Sequence, residues 1–229
     1  MNKYTGKSVF GGIAIGKIMV YEKGEHQVKR VKITDAEAEK NRYYEAVEIA
    51  FKQLGELHDK ALREVGEANA AIFEIHQMML EDDDYNESIE NIIHMQQVNA
   101  EYAVAVTGDN FAEMFANMDD EYMQARTADI IDLSGRVIRI LLNLPDVNFF
   151  KRKNIVLYKY ILTPSEIIEL DSDIISAAVS YHGNRHSHSA ILARAMNIPG
   201  ITDINEDIRN FSGKLAVVDA DAGKIIIEP

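Results

Sequence analysis

There is no cysteine in this sequence of 229 residues, which excludes disulfide and thiol chemistry and makes a cytoplasmic setting the expectation. No apolar run approaches the ~20 residues that span a bilayer. The opening MNKYTGKSVFGGIAIGKIMV lacks the basic start, long apolar run and small-residue cleavage site of a secretory leader. Basic charge is scarce. The chain holds 24 Lys and Arg against 37 Asp and Glu, a net of −13, which argues against a general nucleic-acid binder. Internal repeats and low-complexity linkers are missing too. What is present is a hydrophobic fraction of 47% beside 27% charged residues, the mixture of a folded protein with room for one large or two modest domains.

The acidic excess is local. Residues 31–143 carry 9 basic and 24 acidic side chains, whereas the remainder is nearly neutral. A charge excess of this kind is ordinarily a solvated helical surface; the sharper reading is a docking face for a basic partner.

The chain's grammar changes twice. IAIGKIMVYEKG alternates and reads as a strand. Thr34 and Glu37 then make a capping-box pattern, and apolar residues recur at helical spacing with no proline between Asp35 and Gly66, predicting one long helix. EANAAIFEIHQMMLED predicts a second helix, with Ile72, Phe73, His76, Met79 and Leu80 on one stripe. Asp82 to Asp84 suit the start of a third, Asn99 opens a fourth, and Asp119 opens a fifth that stops before Pro145. After Pro145 the pattern is α/β: strand NIVLYKY, helix TPSEIIEL begun at Thr163 and Pro164, strand IISAAVSY, helix SAILARAM, and strands KLAVVDA and KIIIE. The first strand has no partner in the helical region, so it should pair with the later sheet. Residues 1–30 and 144–229 then form one discontinuous α/β domain, interrupted by an all-α insertion over residues 31–143.

Three of the seven histidines, His182, His186 and His188, fall within YHGNRHSHSAILARAMNIPGI. Their H-x3-H-x-H spacing is one a metal site can use, though no acid lies close in sequence. The alternative follows from position. His188 stands at a strand-to-helix turn, where unpaired N–H groups and the positive end of the helix dipole stabilise a phosphate dianion. Arg185 and Arg194 can balance further charge, Ser187 and Ser189 flank the histidine, and Gly183 permits a close backbone approach. An ordinary loop is the third reading. His76, on an apolar stripe, reads as a core histidine, and His26, His58 and His94 have no assigned role.

HGNRHSHSAILARAMNIPG resembles the phosphohistidine signature of phosphoenolpyruvate-using enzymes, roughly G-G-x-T-S-H-x-A-I-x-A-R-x-x-x-I-P. It keeps Gly183, Arg185, Ser187, His188, Ala190, Ile191, Ala193, Arg194, Ile198 and Pro199. NAAIFEIHQMMLEDDDY, NAEYAV and DDEYMQARTADIIDLSGRVIRIL are similar to the helical subdomain of Enzyme I of the bacterial sugar phosphotransferase system, which docks the phosphocarrier HPr. GGIAIGKI, LTPSE and VVDADAGKIIIEP fit the same N-terminal half, so the resemblance covers almost the whole chain. It implies an α/β phosphohistidine (swivelling) domain carrying an all-α helical insertion subdomain. It also implies phosphoryl transfer through His188 Nε2, with Arg185, Ser187, Ser189, Arg194 and His186 supporting the phosphate.

The docking face implied comprises Glu67, Ala71, Met78, Met79, Asp82, Asp84, Tyr85, Phe115, Tyr122, Arg126 and Asp129. No cofactor or metal is expected in this chain. Phosphoenolpyruvate and Mg2+ are expected to bind a C-terminal barrel beyond Pro229, which would also make the full-length protein a homodimer; no nucleic acid or membrane partner is expected. The chain alone should exchange phosphate with HPr only. Four positions depart from the family pattern. Asn184 replaces a glycine, His186 a threonine, Ile167 a hydroxyl residue expected to orient the imidazole, and Ile161 an acid. A diverged paralogue, or a module that binds HPr without transfer, is the alternative.

Overall fold

The computed structural model describes residues 2–21, 28–144, 154–171 and 173–229. The chain opens with β1 (Asn2–Thr5), β2 (Lys7–Phe10) and β3 (Ile13–Val20). Helices α1 (Ala36–Val65), α2 (Glu67–Leu80), α3 (Asp83–Gln96), α4 (Ala100–Ala116), α5 (Glu121–Gln124) and α6 (Thr127–Leu141) follow. The last stretch alternates: β4 (Ile155–Lys159), α7 (Pro164–Glu169), β5 (Ile175–Ser180), α8 (His188–Ala195), β6 (Gly200–Thr202), β7 (Leu215–Asp219) and β8 (Lys224–Ile227).

These elements make two compact units. One comprises Met1–Gly24, Asp119–Ala128 and Val147–Pro229; the other comprises Glu25–Met118 and Asp129–Asp146. The division departs from the sequence reading at its edges, where residues 28–30 and 144 fall in the helical unit, and more widely at one internal segment. The segment Asp119–Ala128, expected inside the helical insertion, groups with the sheet.

In the α/β unit the eight strands run in the order β1-β8-β7-β3-β4-β5-β6-β2. The expected pairing of the first long strand with the later sheet is present, since β3 lies parallel to β4 and antiparallel to β7. The outermost strands, β1 and β2, are separated in the chain by Gly6 alone. A flat sheet would hold them about 34 Å apart at ~4.8 Å per strand, so the sheet has to curl until its edges meet. Gly6 sits at that junction: its N–H donates to the Gly223 carbonyl at 2.9 Å, and a Cβ there would lie 2.6 Å from the Thr202 carbonyl. Inside the curl pack Ile18, Val156, Tyr158, Val179, Val218 and Ile225. Strand β3 alternates as expected, with two of its three buried positions taken by the small residues Ala14 and Gly16. Ala14 and Ile18 are buried, while Ile13 and Ile15 are 71% and 58% exposed. Gly16 is required there because β4 passes close, a Cβ lying 2.4 Å from the Asn154 carbonyl.

Helix α7 is tied to the end of β4. Its Glu166 accepts from the Thr163 N–H at 3.1 Å, and its two carboxylate oxygens take the Lys159 ammonium at 2.7 and 2.8 Å. Pro164 occupies the first helical turn, as expected. Helix α7 packs on α8, so the pair fixes to β4 the helix against which the histidine helix rests.

In the helical unit, α1 packs along α2, and α3 along α4. Two expectations are corrected. The N-cap of α1 is Asp35, whose Oδ1 accepts from the Ala38 N–H at 3.0 Å, not Thr34; a carboxylate both caps the N–H and answers the helix dipole. The fifth helix is two helices, because the turn Ala125–Arg126 ends α5 before α6 begins. The Asp82 start is as expected, with Oδ1 accepting from the Tyr85 N–H at 3.0 Å. Asn99 precedes α4 but gives its Oδ1 to the Val31 N–H instead of to the helix. Core positions include Tyr43, Leu54, Phe73, Ile89 and Leu133. Among the described residues no helix is long and apolar enough to cross a membrane.

Candidate functional site

The loop that follows β5 carries the three histidines, and the structure gives each a different place. His182 donates its backbone N–H to the Tyr160 carbonyl at 2.8 Å. Its ring stands edge-on to Tyr160 and Tyr181, at 4.9 and 4.7 Å, while those two tyrosines stack at 5.3 Å. His186 is exposed, with its backbone N–H fixed by Asn184 Oδ1 at 2.8 Å. His188 is the first residue of α8, half-buried at the helix mouth. It is therefore the one histidine of the three that combines a helix N-terminus with partial exposure, the setting in which an anion is stabilised.

The helix start is built from serines. Ser187 is the N-cap, its Oγ accepting from the Ala190 N–H at 3.2 Å and sharing a 2.9 Å hydrogen bond with the Ser189 hydroxyl. Both serines are buried. Their hydroxyls are committed to each other and to the helix, so they shape the turn and do not face solvent. Arg194 reaches back along the helix, Nε to the Ala190 carbonyl at 3.3 Å and Nη2 to the Arg185 carbonyl at 2.6 Å. This leaves part of the guanidinium's donor fork for an anion. Arg185 is exposed on the same loop. The far end of α8 closes with Asn197 in the left-handed region at φ 56°, the Ile198 N–H bonding the Ala193 carbonyl at 2.9 Å and the Asn197 N–H the Arg194 carbonyl at 3.1 Å.

Sequence reasoning missed the residues that hold the loop down. The Gly183 N–H donates to Asp203 Oδ1 at 3.1 Å, and Asp203 pairs with Lys7 at 2.8 Å. A Cβ on Gly183 would lie 2.2 Å from Thr202 Oγ1, so the close approach expected of this glycine is real. Asp203 and Lys7 are brought in by β6 and β2, too far along the chain for any local pattern to announce them. Of the departures, Asn184 does not take a positive φ, so its backbone does not need glycine. Ile167 is 1% exposed, a core residue of α7. No group of three or more histidines, cysteines or carboxylates among the described residues is placed to hold a metal ion.

Residues 5–126 match the family described as PEP-utilising enzyme, N-terminal, and residues 150–223 match PEP-utilising enzyme, mobile domain. A solved structure described as Enzyme I by solution NMR overlays with a TM-score of 0.71 at 30% identity, covering 99% of this chain and 93% of that one. The chain belongs to the PEP-utilising enzymes, in the N-terminal region of Enzyme I. Curated relatives named phosphoenolpyruvate-protein phosphotransferase agree. That of Priestia megaterium is 36% identical over 98% of this chain and 39% of its own length. That of Bacillus subtilis is 33% identical over 100% of this chain and 40% of its own. The chain thus spans about two-fifths of the length of these relatives. A structure described as the N-terminal domain of Enzyme 1 - Nitrogen shares the fold, with a TM-score of 0.62 at 23% identity.

The residues expected to dock a family partner separate into two groups. Tyr122 is 56% exposed in the α/β unit and Arg126 lies half-buried beside it; Glu67, Met78, Asp82 and Asp84 are exposed in the helical unit. Ala71, Met79 and Phe115 are half-buried in the helical unit. Two expectations are corrected by burial. Tyr85 is 2% exposed, bonded to the Ser134 hydroxyl at 2.8 Å and edge-on to Phe111, and burial pushes its phenol up to about 12. Asp129 is fully buried, 3.5 Å from His76 Nε2. His76 is core, as expected, with Asp132 on its other ring nitrogen at 3.9 Å.

Proposed function

We propose that this chain is a phosphoryl-transfer module of the sugar phosphotransferase system, with His188 as the carrier. One observation supports the reading above the others: His188 opens an eight-residue helix whose cap is already filled by Ser187. The Nε2 lone pair would attack phosphorus as the bond to the donor nitrogen breaks, and the same step reversed returns the group. Phosphoryl transfer of this kind is mostly alignment and charge stabilisation, for which the helix start, Arg185 and Arg194 are suited. The names of the relatives support the reaction class, and HPr is the partner in this reading. In the helical unit it would meet the exposed acids and methionine at Glu67, Met78, Asp82 and Asp84; in the α/β unit the proposed contacts are Tyr122 and Arg126. Methionine contacts ringed by acids fit a basic partner that has to leave again. Phosphoenolpyruvate and Mg2+ would be handled by sequence that the relatives carry outside the matched span, and no step here runs through the metal.

A second reading, docking of HPr without transfer, is favoured by Ile167, whose buried aliphatic side chain offers the imidazole no hydrogen bond. One experiment separates the two. Mixed with phosphorylated HPr, the chain should gain one acid-labile phosphate as HPr loses it, and release no pyruvate from phosphoenolpyruvate. Saturable binding with no phosphate gained would establish the second reading and end the first.

A further inference from the structure

Asn184 uses three polar groups at once. Its Oδ1 accepts from the His186 N–H at 2.8 Å and its carbonyl from the Ser187 N–H at 3.0 Å. These two bonds close the turn that leads into α8. The third leaves the loop: Nδ2 donates to the Glu121 carbonyl at 3.1 Å, on α5, 63 residues earlier in the chain. One residue before it, Gly183 is held by Asp203, and Lys7 pairs with Asp203. The Asp203 hydrogen bond keeps the Lys7 ammonium protonated above the usual lysine range, and the charge of Glu121 adds to the effect. Successive residues of the loop are therefore tied in two directions, to the end of β6 and to α5. Helix α5 bears Tyr122, and Arg126 donates to the Tyr122 hydroxyl at 3.2 Å with its guanidinium 5.4 Å over the ring. Loop, α5 and Arg126 all belong to the same compact unit.

We propose that Asn184 is a positioning residue: it clamps the histidine loop to α5, so that a partner seated on Tyr122 and Arg126 bears on the same rigid piece that carries His188. The identity of the partner rests on the phosphoryl-transfer reading; the clamp does not. Its value lies in alignment, since displacement of a reacting group by about 1 Å can cost up to ~100-fold in rate.

Two variants separate the bonds. Asn184→Asp keeps the side-chain size and the acceptor for His186 but turns an oxygen toward the Glu121 carbonyl. Asn184→Gly loses both side-chain bonds. Backbone amide NMR is recorded while unphosphorylated HPr is added. In the wild type the amides of residues 183–188 should shift together with those of 122–126. In Asn184→Asp the shifts at 122–126 should persist while those at 183–188 vanish, with transfer about ten-fold slower and affinity changed less than about three-fold. Loop amides that respond equally in the variant would overturn the proposal. Should HPr not bind at all, the functional reading fails, and order parameters decide the clamp. A drop at 183–187 in Asn184→Asp with 121–124 unchanged supports it, and no drop overturns it. Hydrogen exchange at the His186 amide should quicken in Asn184→Gly and stay protected in Asn184→Asp, which shows that the Asp variant has lost only the α5 bond.

Discussion

At Gly183 the loop runs so close to β6 that a methyl group would fall 2.2 Å from the Thr202 hydroxyl, itself bonded to Ser180 at 2.9 Å. Gly183→Ala should therefore lift the loop from Asp203 and slow phosphate gain from HPr by about ten-fold or more. Thr202→Ala in the same chain removes the blocking oxygen, so the double variant should recover much of the rate. A single variant that transfers at the wild-type rate would show that the loop tolerates the displacement. This glycine was legible in the sequence because a strand-to-helix turn needs close approach. The surface it approaches was not legible, since Thr202 and Asp203 arrive from the next strand. Tyr85 and Asp129 show the reverse failure. Tyrosine and aspartate at helical spacing look alike whether they face a partner or the interior, and only the packing of α3 and α6 decides.

Helix ends show the same division between local and distant causes. The start of α1 offers two caps in adjacent residues, Thr34 and Asp35, and the structure uses the aspartate. Asp35→Ala should cost about 1 kcal/mol of stability, and Thr34→Ala much less; urea melts of the two variants check this, and equal losses would contradict the assignment. The elements with strong periodicity, α1 to α4, and the apolar strands β3, β4, β5, β7 and β8 were legible from pattern alone. The short edge strands β1 and β2, and β6 with its three residues, were not, because their pairing is supplied by the closing of the sheet. The break between α5 and α6 escaped as well. Residues 119–141 keep a helical composition throughout, but α5 is held by the sheet unit through Asn184, and no feature of its own sequence marks that.

At the scale of the whole molecule the net charge of −13 is not all surface available to a partner. Inside the helical unit Glu101, 7% exposed, takes both Arg42 terminal nitrogens at 2.9 and 2.7 Å, while Glu39 binds the same guanidinium at 2.6 Å. Burial is the largest single influence and pushes the Glu101 carboxyl up, but the hydrogen bonds from Arg42, its own backbone N–H and Asn99, together with the Arg42 charge, hold it below the usual glutamate value of 4.5. A carboxyl with a depressed folded value stabilises fully above its unfolded value and loses that contribution as pH falls through the folded one. Glu101→Gln should thus be about 2 kcal/mol less stable at pH 7, with the gap to wild type narrowing as pH drops below about 4.5. Melting curves from pH 7 to 3 read this directly, and a gap that does not change with pH would contradict it. The sequence revealed the acidic excess without revealing that part of it is structural.

His188 alone among the three loop histidines carries the phosphoryl group in this account, and the direct measurement is to locate the phosphate after exchange with phosphorylated HPr, by phosphorus NMR and mass spectrometry under alkaline conditions. A single acid-labile phosphate on His188, absent in His188→Ala and retained in His182→Ala and His186→Ala, is the predicted result. Phosphate on His186, or a His188→Ala variant that is still labelled, would contradict it.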